Sequence, residues 1–299
     1  MPGLRLESVV MRFLDWSRGI QTFSAIWFSD EWTEIIKRNV AQSYWMILMT
    51  WPTWSWKTTT LYSMLNTLND WAKKIITLED PVEYEVNWFQ QSQINYKKWY
   101  DYAEWLKAIL RHDPEVILVW EIRELETAQI AINAALTWHL VFSTLHTNSA
   151  IETLSRLVSM WVQAYMLAPA LRLIVWQRLV RKLCHCATKR PATYAEAEEI
   201  NLALKKIKDV RPSIKTEFDG NVRHPVWCPD CNNDGYKWRI AITELFELND
   251  DLKKRIIDWA NALDIYAKAR EMWYITMYED WLIKAINWST TLDELRRVV

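Results

Sequence analysis

The chain has 299 residues, with 36 Lys and Arg against 37 Asp and Glu and a formal net charge of -1 at pH 7. That length suits two or three domains with a sizeable core, and the charge balance excludes strong electrostatic attraction to nucleic acid or acidic lipid. No apolar run approaches a membrane span. The start, Met1-Pro2-Gly3-Leu4-Arg5, leads into charged sequence without the apolar core of a secretory leader, so a cytoplasmic chain is expected.

In chain order, residues 1–14 end in the apolar run Val9-Val10-Met11-Arg12-Phe13-Leu14. The run reads as a strand with no partner strands before it, the expected remnant of a larger N-terminal domain. Residues 30–43 are helical in pattern. Met46 to Thr50 is a buried strand and Lys57 to Leu68 is a helix. Between them runs Trp51-Pro52-Thr53-Trp54-Ser55-Trp56-Lys57-Thr58. With glycine in place of each Trp this is GPTGSGKT, a complete phosphate-binding loop of the form GxxxxGK[ST] in its required strand–loop–helix context.

Composition points the same way. The chain has 21 Trp and only 4 Gly, whereas an ordinary chain is roughly 7% Gly. A phosphate loop turns backbone N–H groups inward and places several residues at φ > 0. An indole at Trp51 or Trp56 occupies the space the phosphates need. The expectation is that most of these tryptophans stand for glycines. UGA encodes tryptophan in some genetic codes and glycine in others, so the wrong translation table gives this pattern. Trp161, after the helical stretch Leu154 to Met160, sits where a helix-terminating glycine belongs. Trp227 and Trp238 flank a cysteine knuckle in the same manner. On the glycine reading, residues 51–59 (Trp51, Pro52, Thr53, Trp54, Ser55, Trp56, Lys57, Thr58, Thr59) form a nucleotide site. Lys57 reaches the β/γ-phosphates, Thr58 holds Mg²⁺, and the helix N-terminus adds its dipole.

Ile75 to Leu78 is a second strand, ending in Glu79-Asp80-Pro81-Val82-Glu83. Three carboxylates this close suit a divalent metal held through waters, or a helix N-cap with first-turn acids. Tyr102 to Arg111 is a helix. Val116 to Val119 is a third strand, and Glu121 follows with one residue between, the position of a carboxylate that acts near the metal or polarises the attacking water. Glu124 to Leu136 is helical, and Leu140 to Leu145 is a fourth strand bracketed by His139 and His146. These histidines lie at opposite strand ends, so only one can be next to the phosphates. Strands alternating with helices argue for a parallel α/β sheet, with ligands at the strands' C-terminal ends.

Ala164 to Leu183 reads as one long helix. Beyond it, Cys184-His185-Cys186 and Cys228-Pro229-Asp230-Cys231 enclose a charged helical stretch, 194–209. Two close pairs in a cytoplasmic chain favour metal over disulfides. The four form a Cys₄ zinc site or remain unmetallated thiols. The first pair is one residue short of CxxC, and His185 and His224 are alternative ligands. Residues 240–299 read as a small helical end domain.

With Trp read as glycine, these segments together resemble the secretion ATPases of type II secretion and type IV pilus assembly (the GspE/PilB type). The resemblance rests on the phosphate loop, Leu78-Glu79-Asp80-Pro81-Val82-Glu83-Tyr84, the run from Ala108 through Arg111-His112-Asp113-Pro114 to Glu121-Ile122-Arg123, the histidine segment 137–148, and Gln177-Arg178-Leu179-Val180-Arg181-Lys182-Leu183-Cys184. It covers nearly the whole chain. It implies a RecA-like P-loop NTPase core at 15–183 after an N-terminal remnant at 1–14, a tetracysteine (zinc) subdomain at 184–239 and a helical C-terminal subdomain at 240–299. It also implies a homo-hexameric ring that is cytoplasmic and peripheral to the inner membrane. Such a ring hydrolyses Mg-ATP to drive pilin or pseudopilin assembly through an inner-membrane platform protein, with no nucleic-acid partner.

By the same resemblance Glu121 is the Walker B acid, Glu79, Asp80 and Glu83 belong to an acidic box, and His139 and His146 to a histidine box. Glu121, Glu79, His146 and Arg111 are the expected catalytic groups. Asp80, Glu83, His139 and Arg12 are expected to contact nucleotide, and Arg12, Arg111 and Arg123 to stabilise charge within or between subunits. Glu124 stands where the family usually has Asp. The cysteines point to the assembly branch. A retraction or conjugation-type ATPase without zinc stays open, as does a nucleotide-free, degenerate ring subunit if the tryptophans are real.

Overall fold

The computed structural model describes residues 23, 28–51, 57–69, 73–95, 101–214, 216–258 and 261–298. The expected strand at Val9–Leu14, Arg12 and loop residues Pro52 to Trp56 lie outside the described residues.

Helix α1 (Asp30–Val40) is capped by Ser29, whose hydroxyl accepts the Trp32 N–H, and carries acids in its first turn and bases in its last. There follow β1 (Trp45–Thr50), α2 (Lys57–Asn66), β2 (Ile75–Glu79), β3 (Gln90–Gln93), α3 (Tyr102–Ile109), β4 (Val116–Val119), α4 (Leu125–Leu136), β5 (Leu140–Leu145), α5 (Glu152–Ser159), α6 (Ala164–Ala170), β6 (Leu171–Leu183) and β9 (Tyr236–Glu247) of the central sheet. The strand order is β3-β2-β4-β5-β1-β6-β9. From β3 through β6 every pairing is parallel; only β9 runs antiparallel, against β6. Strands β2, β4 and β5 are buried along their full length, so they read as continuous apolar runs with little alternation. This is the parallel α/β sheet the sequence predicts.

One expected helix is corrected. Residues 164–183 form a seven-residue helix and then the thirteen-residue β6. Pro169 sits in the helix's last turn, where it interrupts the hydrogen-bond ladder. Ile174, Val175 and Val180 beyond it favour a strand. Flanked by β1 and β9, its segment Leu173–Trp176 is a continuous buried apolar run, and periodicity alone does not separate such a strand from a buried helix. A second correction follows at β9, because residues 240–247 complete the central sheet before the helices begin. Those helices are α8 (Asp250–Ile257), α9 (Ala262–Glu271), α10 (Met277–Ile286) and α11 (Leu292–Val298). Between the cysteine pairs lie β7 (Thr188–Pro191), α7 (Tyr194–Val210) and β8 (Asn221–His224); β7 and β8 pair antiparallel, and α7 opens on a Thr193/Glu196 capping box.

The tryptophans behave as glycines would. Among the described residues nine non-glycine residues have positive φ, and six of them are Trp: Trp45, Trp138, Trp161, Trp238, Trp273 and Trp288. A bulky residue there is an outlier. Four of the six stand immediately after a helix cap. Following α5, Trp161 N–H donates to Val158 O (2.9 Å) and Val162 N–H to Leu157 O (3.1 Å). Trp273 and Tyr274 repeat this after α9, Trp288 and Ser289 after α10, and His139 N–H reaches Ala134 O past Trp138 after α4. These are Schellman motifs, whose left-handed residue is usually Gly. All four indoles are exposed; Trp138 meets Tyr44 edge-on and Trp288 lies under Lys189 and Arg223, surface contacts that bury little of either ring.

Helix α11 is fastened to β6 through Glu294, which is 1% exposed. It accepts from the Arg181 N–H (2.9 Å), the Arg181 guanidinium (2.6 and 2.8 Å) and Arg297 (2.8 and 3.0 Å). Burial acts to push its pKa up, but the guanidiniums of Arg297 and Arg181 outweigh it and hold the carboxyl down at about 2. A depressed folded value means that this stabilisation is complete above the unfolded value of about 4.3 and is lost as pH falls toward 2. Glu294→Gln is therefore expected to cost about 2 kcal/mol at neutral pH, with the deficit shrinking at pH 3; urea unfolding at the two pH values measures it.

Candidate active site

The C-terminal ends of parallel strands gather at one edge of the sheet, and polar groups collect there. Thr58, in the first turn of α2, donates its hydroxyl to Glu83, which lies beyond β2. The N-terminus of α2 therefore faces the acidic segment. Glu121, beyond β4, has a side chain only 12% exposed. Arg123 grips its Oε2 through Nη2 at 2.8 Å and Nε at 2.9 Å. His146, beyond β5, places Nε2 at 3.4 Å from Glu121 Oε1. The other ring nitrogen, Nδ1, lies 3.1 Å from the Trp51 carbonyl oxygen. A carbonyl only accepts, so Nδ1 carries a proton, and Nε2 donates to Glu121 only when the ring is protonated. His146 thus spans from the first residue of the phosphate loop to Glu121.

Hydroxyls lock the strand ends that carry these groups. Ser143 donates to Val119 O at 2.8 Å, Thr144 donates to Trp120 O, and the Ile122 N–H reaches Thr144 O at 3.0 Å. Thr147 shares a hydrogen bond with Thr50.

The other expected residues divide. Glu79 is fully buried behind the site, where it accepts from Tyr62 and Thr77 at 2.6 Å each and from Gln91 at 3.1 Å. Burial pushes its carboxyl up. With its oxygens occupied it joins α2, β2 and β3. Its neighbour Asp80 is part-exposed at the strand end. His139 precedes β5, with Nδ1 3.0 Å from Ala134 O at the end of α4. Six strand residues, about 20 Å, separate it from His146. Arg111 lies on the exposed turn Leu110–His112 ahead of β4, at the same far edge. Neither His139 nor Arg111 is brought to the site within the chain, because a strand crosses the whole sheet. Lys57 opens α2. Tyr62 and Gln91 were not expected. They meet Glu79 across 17 and 12 residues of sequence, and no short motif announces them.

The cysteines converge where β6 ends and β9 begins. Sγ–Sγ separations are 3.8 Å for Cys184–Cys228, 3.9 Å for Cys186–Cys231 and 3.5 Å for Cys228–Cys231, and all four sulfurs lie within 4.8 Å of one another. Zinc–thiolate bonds of about 2.3 Å in a tetrahedron put sulfurs about 3.8 Å apart, so the four fit one ion despite the CxC spacing. His185 is exposed and faces Asp230 at 3.5 Å.

The family model described as type II/IV secretion system protein matches residues 1–297. The chain belongs to that family. Across its whole length it is 39% identical to the type IV pilus assembly ATPase PilB of Pseudomonas aeruginosa, covering 51% of that protein. It is 40% identical to type II secretion system protein E of Pectobacterium carotovorum, covering 57% of it. The chain spans about half the length of these curated relatives. Among solved structures, the pilus retraction motor PilT with bound ADP superposes with a TM-score of 0.67 at 26% identity, over 94% of this chain and 68% of that one. The Legionella pneumophila ATPase DotB shares the fold, with a TM-score of 0.64 at 21% identity over 93% of this chain and 65% of that one. The sheet of this secretion-family chain is that of a P-loop ATPase core.

Proposed function

We propose that this chain hydrolyses ATP to drive type IV pilus assembly or type II protein secretion. It works as a homo-hexameric ring, cytoplasmic and peripheral to the inner membrane, against an inner-membrane platform protein. The observation that carries this reading is the meeting of Thr58 with Glu83, and of Glu121 with His146, at one sheet edge beside a phosphate-loop sequence. The names of the relatives support it. Among the described residues no helix is long and apolar enough to cross a membrane.

In this reading Thr58 and Glu83 hold Mg²⁺, which supplies charge neutralisation at the phosphates when bound. Lys57 and the loop N–H groups bind the phosphates. Glu121 orients the attacking water and accepts its proton. Arg123 fixes one carboxylate oxygen and leaves the other toward His146. His146, tied to the Trp51 carbonyl, aligns Glu121 with the loop. Glu79 positions β2 from behind.

The expected division of the chain is kept with one change: 236–247 joins the core, leaving a tetracysteine unit from 184 and a helical unit from 250. Cys184, Cys186, Cys228 and Cys231 hold a structural zinc. Metal analysis is expected to find one zinc per chain, lost in Cys231→Ser; a zinc-free protein would favour the retraction-type alternative.

Trp51, Trp54 and Trp56 are glycine in the native protein on this reading, which the left-handed tryptophans elsewhere support. Peptide mass spectrometry of the native protein over residues 46–60 tests it. Glycine masses uphold the ATPase. Tryptophan masses mean a degenerate ring subunit, a reading favoured by the indole of Trp51 being accommodated in the core (1% exposed).

A further inference from the structure

Glu244, on β9, is a buried carboxylate (5% exposed) that makes no ion pair among the described residues. Its partners are three donors from two separate parts of the molecule. Oε2 accepts the Ala150 N–H at 2.8 Å and the Tyr274 hydroxyl at 2.7 Å. Oε1 accepts the N–H of Met277, first residue of α10, at 3.0 Å. A helix N-terminus favours an anion at that place. Buried polar networks are stiff when every member is satisfied, and disturbing one bond weakens the others.

Ala150 belongs to the short segment that leaves β5 and carries His146. One end of that segment is tied to the phosphate loop and Glu121 through the His146 ring. Its middle is tied to β1 and α5 through Thr147, by way of Thr50 and Thr153. Its far end is tied to Glu244, and through Glu244 to Tyr274 and Met277 between α9 and α10. A displacement of these C-terminal helices against the sheet therefore pulls on the backbone four residues from His146.

We propose that Glu244 is a positioning residue that couples the placement of the C-terminal helices to the His146–Glu121 pair, so that ATP turnover depends on how those helices are seated. The inference rests on the reading of Glu121 and His146 as the hydrolytic pair. Glu244 acts through the Ala150 peptide, whose N–H it accepts. Glu244→Gln turns one oxygen into a donor that faces other donors, and Tyr274→Phe removes one donor and leaves the carboxylate in place.

The test uses the full chain with glycine at 51, 54 and 56, and measures kcat, KM for ATP and the thermal midpoint. Glu244→Gln is expected to lower kcat about ten- to a hundred-fold, the range for a small misplacement of a catalytic group, with KM unchanged. Tyr274→Phe should move kcat the same way by less, which keeps the test alive if Glu244→Gln does not fold. Combined with His146→Ala, Glu244→Gln should add nothing further, because both act on one element. Wild-type kcat in both folded variants, whatever their thermal midpoints, would overturn the proposal, as would a fully additive double variant. Glu121→Gln and His146→Ala alone separate the two failures. If they keep turnover, the underlying reading of the site is wrong. If they lose it while Glu244→Gln does not, only the coupling is wrong.

Discussion

Glycine at positions 51, 54 and 56 is expected to turn a chain that does not hold ATP into one that does. Trp51 lies at the end of β1, and its carbonyl already receives His146. Its backbone is therefore placed for the site, while its indole is buried in the core. Phosphate binding at a loop of this form needs N–H groups that converge at close range, and a side chain on the inner face removes that approach. Titration with Mg-ATP should show at least a hundred-fold tighter binding for the glycine form, which corresponds to about 2.7 kcal/mol. Glycine at Trp138, Trp161, Trp273 and Trp288 should separately raise stability. Each left-handed bulky residue costs about 1–2 kcal/mol, and sites this far apart add nearly independently. Tight ATP binding by the chain with its tryptophans in place would refute the glycine reading.

Glu121→Gln is expected to keep nucleotide binding and lose turnover by about a hundred- to ten-thousand-fold, the usual contribution of a placed general base. The substitution preserves shape and one acceptor oxygen. It removes proton acceptance and the charge that Arg123 and His146 converge on. Phosphate release against a nucleotide dissociation constant separates the two effects. Retained turnover would transfer the role of base to another carboxylate, with Glu83 the first to examine because it already meets Thr58.

Much of this was legible in the residues. Four apolar runs each followed by a polar cluster specify a parallel sheet and the edge where chemistry collects, and both hold in β1, β2, β4 and β5. The motif placed Thr58, and strand-end position placed Glu121. What was not legible depends on partners remote in sequence. Leu171–Leu183 is a strand because β1 and β9 flank it; alone, its apolar run fits a helix equally well. Gln90–Gln93 has no β-branched residue, and becomes an edge strand by pairing with β2, where Gln91 serves Glu79. Glu79 and Glu83, four residues apart, divide into a buried brace and a site-facing acid, and only the tertiary fold assigns which is which. The histidines were half legible: their separation along one strand excludes one of them, but not which.

The left-handed backbone at Trp45 also bears on gene exchange. On the glycine reading, a recipient cell that stops at this codon releases at most a 44-residue fragment, which ends before β1 and contains none of the sheet. A recipient that inserts tryptophan makes the whole chain, with an obstructed loop and four helices ending on strained indoles. Only cells that share the donor's decoding obtain the chain with glycine in its phosphate loop. Transfer of the trait is then limited by a transfer RNA, whatever the compatibility of the proteins.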